Sequence, residues 1–315
     1  ANTTGHNNVA MGYLALSANT TADANTAVGR SAMAACTTGS KTTAIGFGAF
    51  ANMTTGGNSV AVGWEAGSAM TTGLYNVFVG YECGHDITTG QFNTALGYQA
   101  LDTIQTVSDT TAIGAYALGS LTNSGLYNTA LGFKAGSSLT DGTRNVFIGW
   151  EAAISATTAE RCVVIGQNAA QGVMTGDDNT IIGREAGYSI TSGTRNTVVG
   201  ALALDASTDA NDNVAIGYQA GTAVTSGSMN VFVGNAVGNA VTGGANNTFM
   251  GIDAGTSVTT GSNNLLLGHD AGTSNGAGGV MQDGITNKIV LGDNSINSAN
   301  IQVDWTVHSD RRDKT

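Results

Sequence analysis

The C-terminal residues include a serine and a lysine whose spacing could support nucleophilic chemistry. Ser309 and Lys314 lie five positions apart within HSDRRDKT, and Asp310 directly follows the serine. A serine hydroxyl is a poor nucleophile until a neighbouring base removes its proton, and a lysine can be that base when burial lowers its pKa. Spacing alone does not separate such a pair from a chance one, so its meaning depends on the surrounding sequence.

A second set of residues suits binding rather than catalysis. A glycine recurs through the chain, and the residue after it is often aromatic and followed by an acid or amide, as in WE at 64–65 and YQ at 98–99. One interpretation is a stripe of rings and carboxylates that contacts sugars of a host surface. The simpler one is that the rings cover an edge of the fold. The candidate surface residues are Tyr13, Trp64, Tyr81, Tyr98, Trp150 and Tyr218.

Other chemistry is not predicted. The four histidines fall at different positions of the repeat, so we expect no metal site and no catalytic triad. The cysteines Cys36, Cys83 and Cys162 form no CxxC pair, which favours small buried residues. No phosphate-binding loop is present, and no cofactor is expected. The net charge of −11 argues against nucleic acid as a partner, and no apolar run is long enough for membrane insertion.

The elements that must position these residues are repeats. In fourteen of sixteen cases successive glycines are 17 residues apart; one gap is 18 and the last is 24. A period kept so constant predicts structural coils stacked on one another, because free loops would vary in length. The glycines are Gly12, Gly29, Gly46, Gly63, Gly80, Gly97, Gly114, Gly132, Gly149, Gly166, Gly183, Gly200, Gly217, Gly234, Gly251, Gly268 and Gly292.

Each position of the repeat has its own residue type. The residue before the glycine is always aliphatic, the one before that is always apolar and mostly Ala or Phe, and the third is Val or Thr in fifteen of seventeen repeats. This predicts a short strand that is buried on both faces. Ala recurs three residues after the glycine, from which we expect a second strand, and a TTG or TSG turn closes the coil.

Asparagine stands four residues before the glycine in twelve of seventeen repeats. Stacked asparagine side chains can hydrogen-bond from coil to coil, so these residues predict a structural ladder rather than a ligand site. The residues representing the ladder and the bend are Asn25, Asn93, Asn128, Asn213, Gly29, Gly97, Gly132 and Gly217. The predicted fold is therefore all-β, a parallel β-roll or β-solenoid of seventeen 17-residue coils over residues 1–292.

One chain does not complete this fold. A thin roll has room inside for one face of each strand, so we expect the Ala/Phe positions to face outward and to meet another copy of the chain. A narrow, alanine-rich axis suits three chains, which predicts a homotrimer.

The phrase N[TS][VA]A[VIL]G followed by xxA, as in NTAVGRSA at 25–32, resembles the head repeats of trimeric autotransporter adhesins of the YadA type. The resemblance covers residues 1–292 and implies a left-handed parallel β-roll in a homotrimer. The repeat of that family is shorter than 17 residues, so the outer part of each coil must be enlarged here.

The regular pattern breaks after Gly268, resumes once as NKIVLGD, and ends in residues 293–308, where IQVDWTV alternates like a half-buried stem strand. IVLGD followed by WTVHSDRRDK resembles the junction before the intramolecular chaperone of endosialidase type, peptidase family S74, in phage tail fibres and tailspikes. The resemblance implies that residues 309–315 begin this junction. It also implies that Ser309 is the nucleophile and Lys314 its base in one self-cleavage before Asp310.

The predicted function is a structural and adhesive fibre of a virion. Its expected partners are two further copies of itself, a host cell-surface glycan or protein, and other tail proteins. It is not expected to be an enzyme beyond the single self-cleavage. The alternatives are the head of a bacterial trimeric adhesin on the cell surface, a glycan-degrading tailspike enzyme, and an ice-binding solenoid.

Overall fold

A computed structural model of the protein describes residues 2–103, 105–122, 125–273 and 284–293. Within these residues the chain forms seventeen strands of three residues each and no helix. The described residues therefore contain no helix that could span a membrane. The all-β parallel solenoid of 17-residue coils is confirmed. The strands are β1 Val9–Met11, β2 Thr26–Val28, β3 Thr43–Ile45, β4 Val60–Val62, β5 Val77–Val79, β6 Thr94–Leu96, β7 Thr111–Ile113, β8 Thr129–Leu131, β9 Val146–Ile148, β10 Val163–Ile165, β11 Thr180–Ile182, β12 Thr197–Val199, β13 Val214–Ile216, β14 Val231–Val233, β15 Thr248–Met250, β16 Leu265–Leu267 and β17 Ile289–Leu291.

Every strand pairs in parallel with the next strand along the chain, and together they form one sheet. Equivalent residues pair throughout, as Val9 pairs with Thr26. The register survives both irregular gaps, because Thr111 pairs with Thr129 and Leu265 with Ile289. Extra residues are therefore inserted between strands without displacing the pairing.

We number positions in each coil from the glycine that ends the strand, which is position 0. The second strand predicted after this glycine is wrong for the described residues. Positions 0 to +7 form three overlapping turns instead, seen where Ala49, Ala51 and Met53 donate their backbone N–H groups three residues back. Backbone φ is positive at +2 and +4, as in type II turns, even where ordinary residues such as Phe50 and Leu101 stand there.

The turn region is nevertheless bonded from coil to coil. The Gly48 N–H donates to the Arg30 carbonyl at 2.9 Å, and the Phe50 N–H donates to the Ala66 carbonyl at 3.0 Å. The backbone N–H and C=O groups of the turns thus hydrogen-bond to the neighbouring coils, as those of a second strand would have done. Buried backbone groups need such partners.

The direction of the strand faces is the second correction. The Ala/Phe residues at position −2 point inward and are fully buried in β2 to β16, whereas the sequence interpretation placed them outside. The outward side chains are those at −3 and −1, which we call the sheet face; no strand buries either of them. The outer face of the strand therefore presents aliphatic and β-branched residues rather than alanines.

The thin core is filled by matching large with small residues. Position −2 faces position +4 of the turn, and where −2 is phenylalanine, as in Phe78 or Phe147, position +4 is glycine or alanine. A Cβ added at Gly84 would lie 2.8 Å from the Phe78 ring, whereas the next coil pairs Ala95 with Leu101. Close packing at constant volume explains the alternation.

Candidate functional site

The asparagines of the predicted ladder lie at position −4 and are buried. Asn93 donates its backbone N–H to Asn76 Oδ1 at 3.0 Å, while its Nδ2 donates to Asn76 Oδ1 at 3.1 Å and to the Val107 carbonyl at 2.8 Å. Asn213 repeats this with Asn196 and Gly227. Asn25 Nδ2 and Asn128 Nδ2 donate to turn carbonyls at 2.8 and 2.9 Å. These amides are occupied by the fold and do not face a ligand.

A second ladder was missed by sequence reasoning. Threonine hydroxyls at the start of the TTG turn donate to the carbonyl of the equivalent residue one coil further on. Thr54 donates to the Thr71 carbonyl at 3.2 Å, and Thr71 to that of Thr88 at 3.1 Å. The 17-residue spacing of TTG could have revealed it.

Glycine is required at the predicted bend positions for two reasons, the backbone conformation and the lack of space for a side chain. Gly29, Gly97, Gly132 and Gly217 have φ between 134° and 140°, a region that side chains rarely enter. A Cβ on any of them would also lie within 2.7 Å of the glycine backbone in the next coil. Their role is geometric.

The six candidate aromatic residues lie at position +1, beside the sheet face, and all are exposed. Most belong to stacks along the solenoid. Trp64 stacks on Phe47 with ring centroids 4.1 Å apart, and Tyr81 stacks on Tyr98 at 5.2 Å. Trp150 stacks on Phe133 at 6.2 Å. Rings stacked in this way present edges to solvent and cover part of each other's faces.

The two outer members of the set differ. Tyr13 is linked to Phe47 through Arg30, whose guanidinium lies 5.9 Å from the Tyr13 ring and 5.5 Å from the Phe47 ring. Tyr218 stands alone at its level, since Ala201 and Asn235 occupy position +1 in the neighbouring coils.

Acids and amides at position +2 form a parallel row. Gln99 Nε2 donates to Glu82 Oε2 at 2.6 Å, and His85 Nε2 lies 3.7 Å from Glu65 Oε2. A hydrogen bond with the Glu82 carboxylate is the largest cause that raises the pKa of Tyr81, so this phenol stays protonated at neutral pH. The row offers acceptors and donors beside ring edges.

Sequence reasoning missed further rings. Tyr75 and Phe92 stack at 5.0 Å at position −5, on the other border of the sheet face, and Arg144 lies 5.7 Å from the Tyr127 ring there. Their spacing of one period is visible in the sequence, although these rings precede the strand rather than follow the glycine.

The enzyme alternative requires two carboxylates in one groove. Glu185 and Asp205 do line one cavity of about 390 Å³, together with Asn168, Tyr188 and Leu202. Both carboxylates have partners: Glu185 pairs with Arg184 at 2.8 Å, and Asp205 accepts a hydrogen bond from Thr222.

The cysteines are free and buried. Burial raises the pKa of Cys83 to about 12 and that of Cys162 to about 11, so these thiols are not nucleophiles at neutral pH.

One group departs from the expectation that the histidines form no cluster. Asp253, His269 and Asp270 bring their ligand atoms within 4.8 Å of one another. Within this partly exposed group, His269 and Asp270 form an ion pair at 3.2 Å.

Ser309, Lys314 and Asp310, with the junction 309–315 and the stem from 294 to 308, lie outside the described residues.

A scan against models of known protein families finds no match for this chain, and a search of curated protein sequences finds no relative. The assignment of function therefore depends on the geometry described above and on the resemblances in sequence.

Proposed function

We propose that this chain is the shaft or receptor-binding segment of a homotrimeric phage tail fibre that attaches to the surface of a host cell. The observation that carries the proposal is the sheet face. An aliphatic residue stands at −1 in all seventeen strands, and the column includes Leu96 at 48% exposure and Leu131 at 45%. A continuous apolar stripe of this length is a surface for association.

A second copy of the same chain fits this stripe best. The stripe repeats at the spacing of the coils, and an identical neighbour repeats at the same spacing, so each level meets its equivalent. A cyclic arrangement around one axis buries all copies of the stripe at once. It leaves the exposed side chains between positions +2 and +8, which lie beyond the sheet face, for contact with a host glycan or protein.

The test is the mass of the native assembly. The double variant Leu96→Asp/Leu131→Asp should shift the wild-type trimer to monomers, because charges would be buried in the interface. Val173→Asp is the matched control, since Val173 is 55% exposed but lies between β10 and β11, outside the sheet face. A monomeric wild type, or a double variant that stays trimeric, would contradict the proposal.

The maturation step is tested separately. The chain is expressed with the segment that follows it in its parent protein, and the mass of the product is measured. We expect cleavage between Ser309 and Asp310, which Ser309→Ala and Lys314→Ala abolish. Cleavage that survives Ser309→Ala would exclude this serine as the nucleophile. A membrane-anchor barrel in that segment would favour the bacterial adhesin instead.

The glycan-degrading alternative has one observation in its favour, the shared cavity of Glu185 and Asp205. If these carboxylates act as acid and base, Glu185→Gln and Asp205→Asn should each abolish release of reducing ends from host polysaccharide. Equal release by wild type and both variants would exclude this site.

A further inference from the structure

The coil that contains the single 18-residue gap carries a notch on its surface. A cavity of about 340 Å³ lies between positions +2 and +5 of three consecutive coils. It is lined by residues that include Gln99, Asp102, Tyr116, Gly119, Lys134 and Ser137. Its volume is at the lower end of the roughly 300–1,000 Å³ found for small-molecule sites, which suits one sugar ring.

Gly119 opens this notch although the fold does not need a glycine there. Its φ is not among the positive values of the chain, and an added Cβ would come no closer than 3.4 Å to any atom. By contrast, Gly114 in the same coil has φ of 131°, and a Cβ there would lie 2.3 Å from the Gly132 carbonyl oxygen. The absence of a side chain at position 119 therefore leaves the notch open.

Tyr116 lines the notch, is 37% exposed, and lies outside the parallel ring stacks. The rings on either side belong to parallel stacks, Tyr81 with Tyr98 at 7° and Phe133 with Trp150 at 15°. Tyr116 is turned 66° from Tyr98 and 84° from Phe133. Its faces therefore do not stack on its neighbours. The face of an aromatic ring is electron-rich and attracts the polarised C–H bonds on one side of a pyranose.

The polar side chains around this ring carry one charge of each sign. Asp102 supplies a carboxylate, and Lys134, held over the Phe133 ring at 5.3 Å, supplies an ammonium group. Gln99 and Ser137 add an amide and a hydroxyl group. Donors and acceptors together, with one charge of each sign among the lining residues, match the hydroxyl groups of a neutral sugar better than they match an anion or a cation.

We propose that this notch binds one neutral pyranose residue of a host-surface glycan. The inference rests on the proposed adhesive function and gives it a site. The notch lies at +2 and +5, away from the sheet face, so it stays open when the sheet face is covered. Three copies on one fibre would raise the avidity for a cell surface above that of a single weak site.

The experiment uses the whole chain and the methyl glycosides of glucose, galactose, mannose and N-acetylglucosamine as probes. Saturation-transfer NMR and titration should show millimolar binding of at least one probe, with the strongest transfer to C–H protons on one ring face. Gly119→Val, which fills the notch, should weaken that binding at least tenfold. Ala51→Val, at the same position of another coil, is the control and should bind as wild type.

A second variant separates the ring from the cavity. Tyr116→Leu removes the aromatic face, and leucine fits the backbone because Leu14 and Leu202 occupy position +2 with φ of 59° and 58°. It should lose binding at least tenfold. Absence of binding by the wild type, or unchanged binding by Gly119→Val, overturns the proposal. Native mass is measured on the same samples, so a trimer without sugar binding refutes the notch alone, and a sugar-binding monomer refutes the trimer alone.

Discussion

At the scale of the residue, glycines at different positions of the coil have different structural roles. We expect Gly97→Ala to destabilise the fold by about 3 kcal/mol, since φ is 138° and the new Cβ would lie 2.7 Å from the Gly114 carbonyl carbon. Gly119→Ala should change stability by less than about 0.5 kcal/mol, because no strain or clash arises. Urea unfolding followed by circular dichroism measures both. Equal midpoints for the two variants would contradict this assignment.

Asp102 predicts a pH dependence of stability. Burial is the main cause that raises its pKa from 3.8 to about 6, with Asp86 and Glu82 adding to the rise and His85 opposing it. Between these two pH values the folded chain holds a proton that the unfolded chain has released. Stability therefore falls as pH rises from about 4 to 6, and the loss is complete above that range.

Asp102→Asn removes the group that titrates. The variant should melt at the same temperature as wild type near pH 3.5 and at a higher temperature at pH 8. Asp109→Asn, the same change at an exposed position, is the control for net charge. A gain from Asp102→Asn that is equal at both pH values would show that the buried charge is not its cause.

At the scale of the element, the coil is held together by the size match between positions −2 and +4. We expect Phe78→Ala to cost about 3–5 kcal/mol through the cavity it leaves, and Gly84→Leu to destabilise by overpacking against Phe78. The double variant Phe78→Ala/Gly84→Leu recreates the natural pair Ala95 and Leu101, whose leucine has φ of 56°. It should recover most of the loss.

A double-mutant cycle in urea gives the coupling energy between these two positions. Additive losses would mean that Phe78 and Gly84 do not share one space.

The sequence predicted the period and the position of the first strand in each coil but not the inner face. Seventeen glycines, with fourteen of their sixteen gaps equal to 17 residues, locate the strands, because only stacked coils keep such a period. A strand of three apolar residues does not tell which side is inside: Ala95 and Leu96 are both apolar, and alternation only places them on opposite faces. The pairing of Phe78 with Gly84 does indicate which side is inside, because a large residue in the core requires a small one opposite it. This signal lies in residue size rather than in hydrophobicity.

The second strand was predicted wrongly for a different reason. Residues such as Phe50 and Leu101 are typical of strands, yet here they adopt left-handed backbone conformations. The residue type alone does not indicate that conformation. Turn prediction depends on glycine, asparagine and proline, and this chain contains no proline. The position of the candidate rings after the glycine is read directly from the sequence, but their stacking on one another depends on the distance between coils.

At the scale of the whole molecule, the exposed sheet face and the net charge of −11 oppose each other in self-association. In the proposed trimer, the apolar stripe favours assembly, while like charges on the three chains repel. Salt screens the repulsion and leaves the burial of apolar surface nearly unchanged. The urea midpoint of the wild type should therefore rise with sodium chloride, and it should rise with protein concentration between about 1 and 100 μM because assembly stabilises by mass action.

The monomeric variant provides the comparison. Leu96→Asp/Leu131→Asp should unfold at a lower midpoint that does not depend on its concentration, whereas Val173→Asp should follow the wild type. Reversible unfolding of the wild type at one midpoint over the whole concentration range would mean that the coils fold as single chains. The aliphatic column at position −1 would then need a partner other than this chain.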